Sequence, residues 1–87
     1  MVPHAMRYTV ELKPRAIKDL KAITVTDRTR LRNGIESLEN NLGGDVKRLT
    51  DFTPEFRLRV GNYRVLFEVE GQRVVVYRVM HRRDAYR

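Results

Sequence analysis

The sequence predicts an α+β domain in which a helical hairpin packs on one face of a small, mostly antiparallel sheet. Two observations lead to this fold class. Apolar and polar residues alternate over residues 8–12 and again from 56 to 80, as they do in half-buried strands. Between these segments, residues 14–42 carry apolar side chains at helical spacing. The predicted order is strand, helix, helix, strand, strand, strand.

The chain has 87 residues, which is the size of one small domain. Met6 resembles a natural start, so we expect residues 1–5 to be an N-terminal extension or a cloning remnant and residues 6–87 to form a single domain. No apolar run reaches the roughly 18 residues of a transmembrane helix, and no signal peptide is visible. We therefore expect a cytoplasmic protein without membrane contact.

The first strand and helix follow from residues 8–23. Alternation over residues 8–12 places Tyr8, Val10 and Leu12 toward the core. Pro14 fits the first turn of a helix. The apolar residues at helical spacing are Ala16, Ile17, Leu20 and Ile23.

A second helix is predicted after the β-branched segment at residues 24–26, with Thr26 or Asp27 as its N-cap. One apolar stripe runs along it, formed by Leu31, Ile35, Leu38 and Leu42. Gly43 and Gly44 are the predicted C-terminal stop. We expect residues 45–55 to be a connecting loop.

Three strands are predicted at residues 56–60, 63–70 and 74–80. Gly61 and Asn62 form a two-residue hairpin turn, which pairs Val60 with Tyr63 and Arg59 with Arg64. A two-residue turn before the last strand would place Arg78 on the core face, which is costly. We expect a three-residue turn instead, with Arg78 outward and three residues inward: Val75, Tyr77 and Val79.

The charge pattern indicates a polyanionic partner. The chain has 18 Lys and Arg against 11 Asp and Glu, a net charge of +7. Alternation places Arg57, Arg59 and Arg64 on the face that the helices leave open. Like charges opposite each other are unfavourable, and no acid on this stretch compensates for them. The cluster is interpreted either as a phosphate site or as a solvated basic face that discourages edge pairing; we favour the phosphate site.

The C-terminal tail extends this basic surface with Arg82, Arg83 and Arg87, and it adds one aromatic, Tyr86. Cations that hold a backbone beside an aromatic that stacks on a base are typical of proteins that bind single-stranded RNA. His81 is the titratable base near neutrality in the folded region. The absence of Cys excludes thiol nucleophiles and Cys-based zinc sites, and two His exclude a His-rich metal site. No cofactor is expected.

Four segments together resemble the RelE family, within the RelE/ParE superfamily of bacterial type II toxins: residues 6–10, 16–20, 56–65 and 81–87. The resemblance spans nearly all of residues 6–87. It implies a RelE-like, microbial-RNase-like fold. It also implies a ribosome-dependent mRNA endoribonuclease that cuts A-site codons, without a metal, by attack of the 2′-hydroxyl on the adjacent phosphate. The implied partners are a RelB-like antitoxin and the ribosome with mRNA in its A site.

The resemblance also implies roles for individual residues. Arg64 matches the arginine that stabilises the pentacovalent phosphate, Arg82 matches a tail arginine that acts on the phosphate or leaving oxygen, and Tyr86 matches the aromatic that stacks on the base. Our candidate catalytic residues are Arg59, Arg64, His81, Arg82 and Tyr86. Our candidate RNA-binding residues are Arg57, Arg78, Arg83 and Arg87.

The sequence departs from the family at Arg57 and Arg59, which stand where the best-studied members carry lysines. A lysine can lose its proton when its pKa is depressed, whereas an arginine effectively cannot. Two routes to catalysis remain open. His81 acts as base or acid, or catalysis rests on charge stabilisation and in-line placement of the 2′-oxygen.

Two other functions remain as alternatives. One is a ParE-like toxin that inhibits DNA gyrase, although that group generally lacks an arginine face combined with a tail Arg and Tyr. The other is a non-catalytic RNA- or ribosome-binding module, since cations and one aromatic suffice for binding.

Overall fold

The computed structural model of the chain describes residues 6–85. The elements are β1 Thr9–Leu12, α1 Pro14–Lys21, α2 Val25–Ser37, β2 Asp45–Arg48, β3 Phe56–Val60, β4 Tyr63–Glu70 and β5 Arg73–His81. The predicted extension at residues 1–5 and the tail residues Tyr86 and Arg87 lie outside the described residues. Neither helix in the described part is long and apolar enough to cross a membrane.

The five strands form one mixed sheet in the order β1-β5-β4-β3-β2. β1 runs parallel to β5, and the other neighbours are antiparallel. The predicted fold class is confirmed, but the predicted loop at residues 45–55 is wrong over Asp45–Arg48, which is an edge strand. This strand contains one apolar residue, Val46, among three charged ones, so it has no alternation that would reveal it. Charged side chains of this kind protect an edge from further pairing.

Helix α1 buries only a narrow stripe. Pro14 lies in its first turn as predicted, and Ala16 and Leu20 are buried. Ile17 is 41% exposed, so the prediction that it faces the core is wrong. The helix has eight residues. One i, i+4 pair, Ala16 and Leu20, is the stripe that it buries.

Helix α2 begins at Val25 with Thr24 as its N-cap, so the predicted caps Thr26 and Asp27 are both inside the helix. The helix penalty of β-branched residues is only tenths of a kcal/mol, which tertiary packing overrides. The helix ends at Ser37, before the predicted glycine stop. Asn41 and Leu42 already have left-handed backbone conformations, with φ of 57° and 54°.

Both helices pack on one face of the sheet, and the core lies between them and the strands. Its buried members are Ala16, Leu20, Leu31, Ile35, Leu38, Leu58, Val65, Phe67, Val74, Val76 and Val79. Leu42, predicted as part of the helical stripe, packs against this cluster from beyond the helix end. Gly34 allows α2 to approach β3, since a Cβ there would lie 2.7 Å from Val60 Cγ2.

A β-bulge sets the register of β5. The turn from β4 has two residues, so the predicted three-residue turn is wrong, and Val74 and Val76 face the core instead of Val75. A register shift opposite Leu66 and Phe67 leaves Tyr77 unpaired. Beyond the shift, Val79 faces the core and Arg78 pairs beside Leu66 on the other face, as predicted.

Candidate anion-binding face

The face of the sheet away from the helices, here called the open face, carries two rows of residues across the strands. One row is Asp45, Arg59, Arg64 and Met80, and the other is Lys47, Arg57, Leu66 and Arg78. The predicted pairing of Arg59 with Arg64 is confirmed. Neighbouring strands lie roughly 4.8 Å apart, so adjacent members of a row can reach the same bound group.

Asp45 neutralises part of this cluster. Its Oδ2 lies 2.6 Å from Arg59 Nε, and its Oδ1 accepts a 3.2 Å hydrogen bond from Arg57 Nη1, which also donates to the Asp45 carbonyl at 2.7 Å. The hydrogen bond from Arg57 and the charge of Arg59 outweigh desolvation and lower the pKa of Asp45. Residues 56–67 themselves contain no compensating acid, as expected. The acid that does compensate, Asp45, comes from the strand that the sequence did not reveal.

Arg64 is held differently from its neighbours. Its Nη1 donates to the carbonyl oxygens of Gly61 and Tyr63, at 3.1 and 3.0 Å. Within residues 6–85 no carboxylate pairs with it. The guanidinium is thus folded against the β3–β4 turn, with its charge uncompensated by a nearby acid.

The start of the tail meets this same turn. The Arg82 N–H donates a 2.7 Å hydrogen bond to the Asn62 carbonyl, and the Arg82 side chain is exposed. Arg83 is also exposed. On the other side of the turn, the guanidinium of Arg30 in α2 lies 3.4 Å from where a Cβ of Gly61 would be. Sequence reasoning missed Arg30, because it is one of three arginines in α2 and nothing in the pattern distinguishes it.

His81 lies on the helix-covered side of the sheet. It pairs with Tyr63, and the two rings make an edge contact with centroids 5.6 Å apart. Tyr63 packs against the core, whereas Arg64 points to the opposite face. His81 Nδ1 accepts a 3.3 Å hydrogen bond from the Arg83 N–H. The structure therefore does not bring His81 together with the arginines of the open face.

Arg78 is engaged by Asp19 of α1. Its Nε and Nη2 donate hydrogen bonds of 2.8 and 3.2 Å to the two oxygens of this carboxylate, which also accepts the Val79 N–H at 2.9 Å. Burial raises the pKa of Asp19, but the bonds from Arg78 and Val79 outweigh burial and the net effect is a lowered pKa. Asp19 thus binds the backbone of β5 where this strand extends past β1. It also pairs with Arg78, which the sequence analysis assigned to RNA binding.

The open face is not bare. Leu66 and Val75 lie on it and are only 3% and 2% exposed, so this face, which the helices leave uncovered, is nevertheless buried at these two positions. Beside them is a groove of about 540 Å³. It is lined by Lys13, Pro14, Arg15, Thr53, Pro54, Glu68, Tyr77 and Arg78. Among residues 6–85, no three His, Cys, Asp or Glu side chains group as metal ligands would.

Comparison with known proteins assigns the chain to a class of toxins. Residues 10–86 match the family model described as the ParE toxin of type II toxin–antitoxin systems. Toxin RelE3 of Methanocaldococcus jannaschii is 36% identical over 75 residues, which cover 80% of this chain and 85% of that protein. The chain belongs to the RelE/ParE superfamily of type II toxin–antitoxin toxins, and the resemblance found in its sequence is confirmed.

Solved structures agree with this assignment. The RelB–RelE antitoxin–toxin complex from Methanococcus jannaschii contains a chain with a TM-score of 0.70 and 33% identity, covering 83% of this chain and 89% of that one. The toxin–antitoxin complex RelBE2 from Mycobacterium tuberculosis gives a TM-score of 0.76 and 26% identity, covering 87% and 99%. The helical hairpin on a small mixed sheet is therefore the fold of RelE toxins.

Proposed function

We propose that this toxin is a ribosome-dependent endoribonuclease that cleaves mRNA in the A site and so inhibits translation. The observation that carries the proposal is the state of Arg64. Its guanidinium is oriented by two backbone carbonyls and has no carboxylate partner in the described part of the chain. Such an arginine is ready to donate to the oxygens of a phosphate at little cost in reorganisation.

In the proposed reaction, the 2′-hydroxyl oxygen attacks the adjacent phosphorus and the bond from phosphorus to the 5′-oxygen breaks. The products are a 2′,3′-cyclic phosphate and a 5′-hydroxyl. Arg64 stabilises the charge that develops on the phosphate oxygens. Arg82 follows β5, and its backbone N–H is hydrogen-bonded to the Asn62 carbonyl. It supplies a second cation at the end of the sheet where Arg64 lies. Tyr86, beyond the described residues, is proposed to stack on the base.

Charge stabilisation and alignment are proposed as the main source of rate. Arg57 and Arg59 stay protonated and cannot accept the 2′-proton. His81 is positioned on the other side of the sheet, beside Tyr63. Positioning the 2′-oxygen in line with the phosphorus and donating to its charged oxygens need neither group as a base. In this mechanism Arg57, Arg59, Arg83 and Arg87 hold the RNA backbone. The 2′-proton leaves to solvent water, and the departing 5′-oxygen takes up a proton from solvent water.

We also propose that the chain binds a RelB-like antitoxin and requires no metal or other cofactor for cleavage. Two structurally similar toxins were solved as complexes with an antitoxin. The net charge of +7 suits an acidic partner that orders on binding.

A ParE-like toxin that inhibits DNA gyrase is the second candidate, favoured by the match of residues 10–86 to the ParE model. Such a toxin would act through binding and would not cut RNA. A non-catalytic RNA- or ribosome-binding module remains the third.

Primer extension on a defined mRNA, with and without programmed ribosomes, tests the first proposal. The variants are Arg64→Ala and, as control, Arg73→Ala, an exposed arginine whose partners are Glu11 and Glu70 at the far end of the β4–β5 hairpin. We expect ribosome-dependent cuts within A-site codons. Removing one donor that stabilises transition-state charge should slow them about 10²–10³-fold in the Arg64 variant and hardly at all in the control.

The outcomes separate the candidates. Lost cleavage with retained ribosome binding supports catalysis by Arg64. Equal loss of both indicates a binding module. No cuts from well-folded protein refute the nuclease, and gyrase supercoiling assays then test the ParE-like function.

A further inference from the structure

Asp45 forms ion pairs with two arginines of the candidate site. Its carboxylate contacts Arg59 Nε at 2.6 Å and Arg57 Nη1 at 3.2 Å. It lies opposite Arg59 in the register and diagonal to Arg57, and these positions fix both contacts. One carboxylate thus occupies the guanidinium edges that a phosphate would otherwise take.

We propose that Asp45 is a built-in competitor for the RNA phosphate, which sets the affinity of the arginine cluster by occupying Arg57 and Arg59 until RNA replaces it. This inference rests on the proposed function, because it assumes that the cluster binds RNA. Arginine makes the same paired hydrogen bonds with carboxylates and phosphates, so the two anions compete for one set of donors.

Exchange of one anion for the other is feasible because the pairs are accessible. The side chains of Asp45 and Arg59 are 43% and 56% exposed, and exposed ion pairs are individually weak. Arg57 is only 14% exposed and keeps a second bond, at 2.7 Å, to the Asp45 backbone carbonyl. When the Asp45 carboxylate is displaced, Arg57 therefore stays oriented for the incoming phosphate.

Arg64 stands outside this competition. It lies beside Arg59 in the same row, but its bonds go to carbonyl oxygens of the turn. Of the three arginines of the β3–β4 hairpin, one is thus available and two are occupied by Asp45. A lone phosphate engages Arg64 first, and a longer RNA has to displace Asp45 to reach the other two.

The test measures binding of a fluorescein-labelled 12-nucleotide single-stranded RNA carrying 2′-O-methyl groups, which cannot be cleaved by 2′-attack. Anisotropy is read at about 100 mM salt, where charges more than about 10 Å apart are largely screened. The variants are Asp45→Asn, Glu70→Gln and Arg64→Ala. Glu70 is the matched control, since it is an exposed acid on a strand that pairs with an arginine, Arg73, at 2.7 Å.

We expect Asp45→Asn to bind about three- to tenfold more tightly than the wild type, because two weak pairs no longer have to be exchanged. Glu70→Gln should change affinity less than about twofold, since it lies four residues, or about 13 Å, along β4 from Leu66, the neighbour of Arg57. In an Arg57→Gln, Arg59→Gln background, the gain from Asp45→Asn should disappear.

Three results would overturn the proposal. Equal gains from Asp45→Asn and Glu70→Gln would mean that net charge alone sets affinity. Weaker binding by Asp45→Asn would mean that the carboxylate positions the arginines for RNA. Binding that depends on Arg64 but is unchanged by Asp45→Asn would remove this inference and leave the proposed function standing. The proposed function fails separately, if primer extension shows no ribosome-dependent cuts by the well-folded wild type.

Discussion

Replacement of Asp19 should destabilise the fold more than replacement of any exposed acid. The Asp19 side chain is 12% exposed and accepts three hydrogen bonds, two from Arg78 at 2.8 and 3.2 Å and one from the Val79 N–H at 2.9 Å. Hydrogen bonds that involve a charged group contribute about 1.5–3 kcal/mol each, but bonds to one carboxylate are not additive. Arg78 is 31% exposed, so water partly replaces its lost partner.

Asp19→Ala should therefore lower the free energy of unfolding by about 2–4 kcal/mol. For a domain of this size, each kcal/mol lowers Tm by about 4–8 °C, so the fall should be at least about 8 °C. Asp19→Asn keeps an acceptor for the Val79 N–H and should cost about 1–2 kcal/mol.

Urea unfolding followed by circular dichroism measures these differences. Glu70→Gln is the control, because it breaks a 2.7 Å ion pair between two side chains that are about half exposed. Its midpoint should hardly move. If the urea midpoint of Asp19→Ala is as close to that of the wild type as the midpoint of Glu70→Gln is, the hydrogen bonds of Asp19 to Arg78 and Val79 do not stabilise the fold as argued.

Two further predictions concern the pH dependence of the Asp19 contribution and the contact between α2 and β3 at Gly34. The pKa of Asp19 is lowered from 3.8, so its stabilising contribution should be complete above that pH and lost as pH falls through the folded-state pKa. The stability difference between wild type and Asp19→Asn should thus shrink from pH 7 to pH 3 in urea titrations; a constant difference would contradict it. Gly34→Ala should destabilise the fold by about 1 kcal/mol, because a Cβ 2.7 Å from Val60 Cγ2 outweighs the gain in helix propensity. Thermal unfolding of Gly34→Ala, alone and in a Val60→Ala background, checks the contact. The cost of Gly34→Ala should disappear in the Val60→Ala background, because the Cγ2 that the new Cβ meets is then absent.

The β3–β4 hairpin could be predicted in detail because its information is local. Gly61 and Asn62 specify a two-residue turn, and a turn of known length fixes every pair along the two strands. Alternation then fixes which face each side chain occupies. These two rules alone predict that Arg59 pairs with Arg64, and the structure confirms it.

The features that the sequence could not reveal depend on contacts distant along the chain. Asp45–Arg48 has the composition of a loop and is a strand only because β3 offers it an edge. The bulge at Tyr77 has no glycine to mark it, yet it decides which face Arg78 takes. In both cases an arginine that the sequence pattern leaves unpaired finds an acid: Arg59 pairs with Asp45, and Arg78 pairs with Asp19.

The paired arginines change how the charge of +7 should be interpreted. Four arginines lie on the two rows of the open face, and three of them are held by carboxylates of other elements: Arg57 and Arg59 by Asp45, and Arg78 by Asp19. Counting cations on a face therefore overstates the charge that a ligand meets. In the part of the chain that the structure describes, Arg64 has only backbone carbonyls as partners. A phosphate gains most where a guanidinium is oriented but not neutralised, so pairing, more than the number of cations, locates the candidate site at the β3–β4 turn.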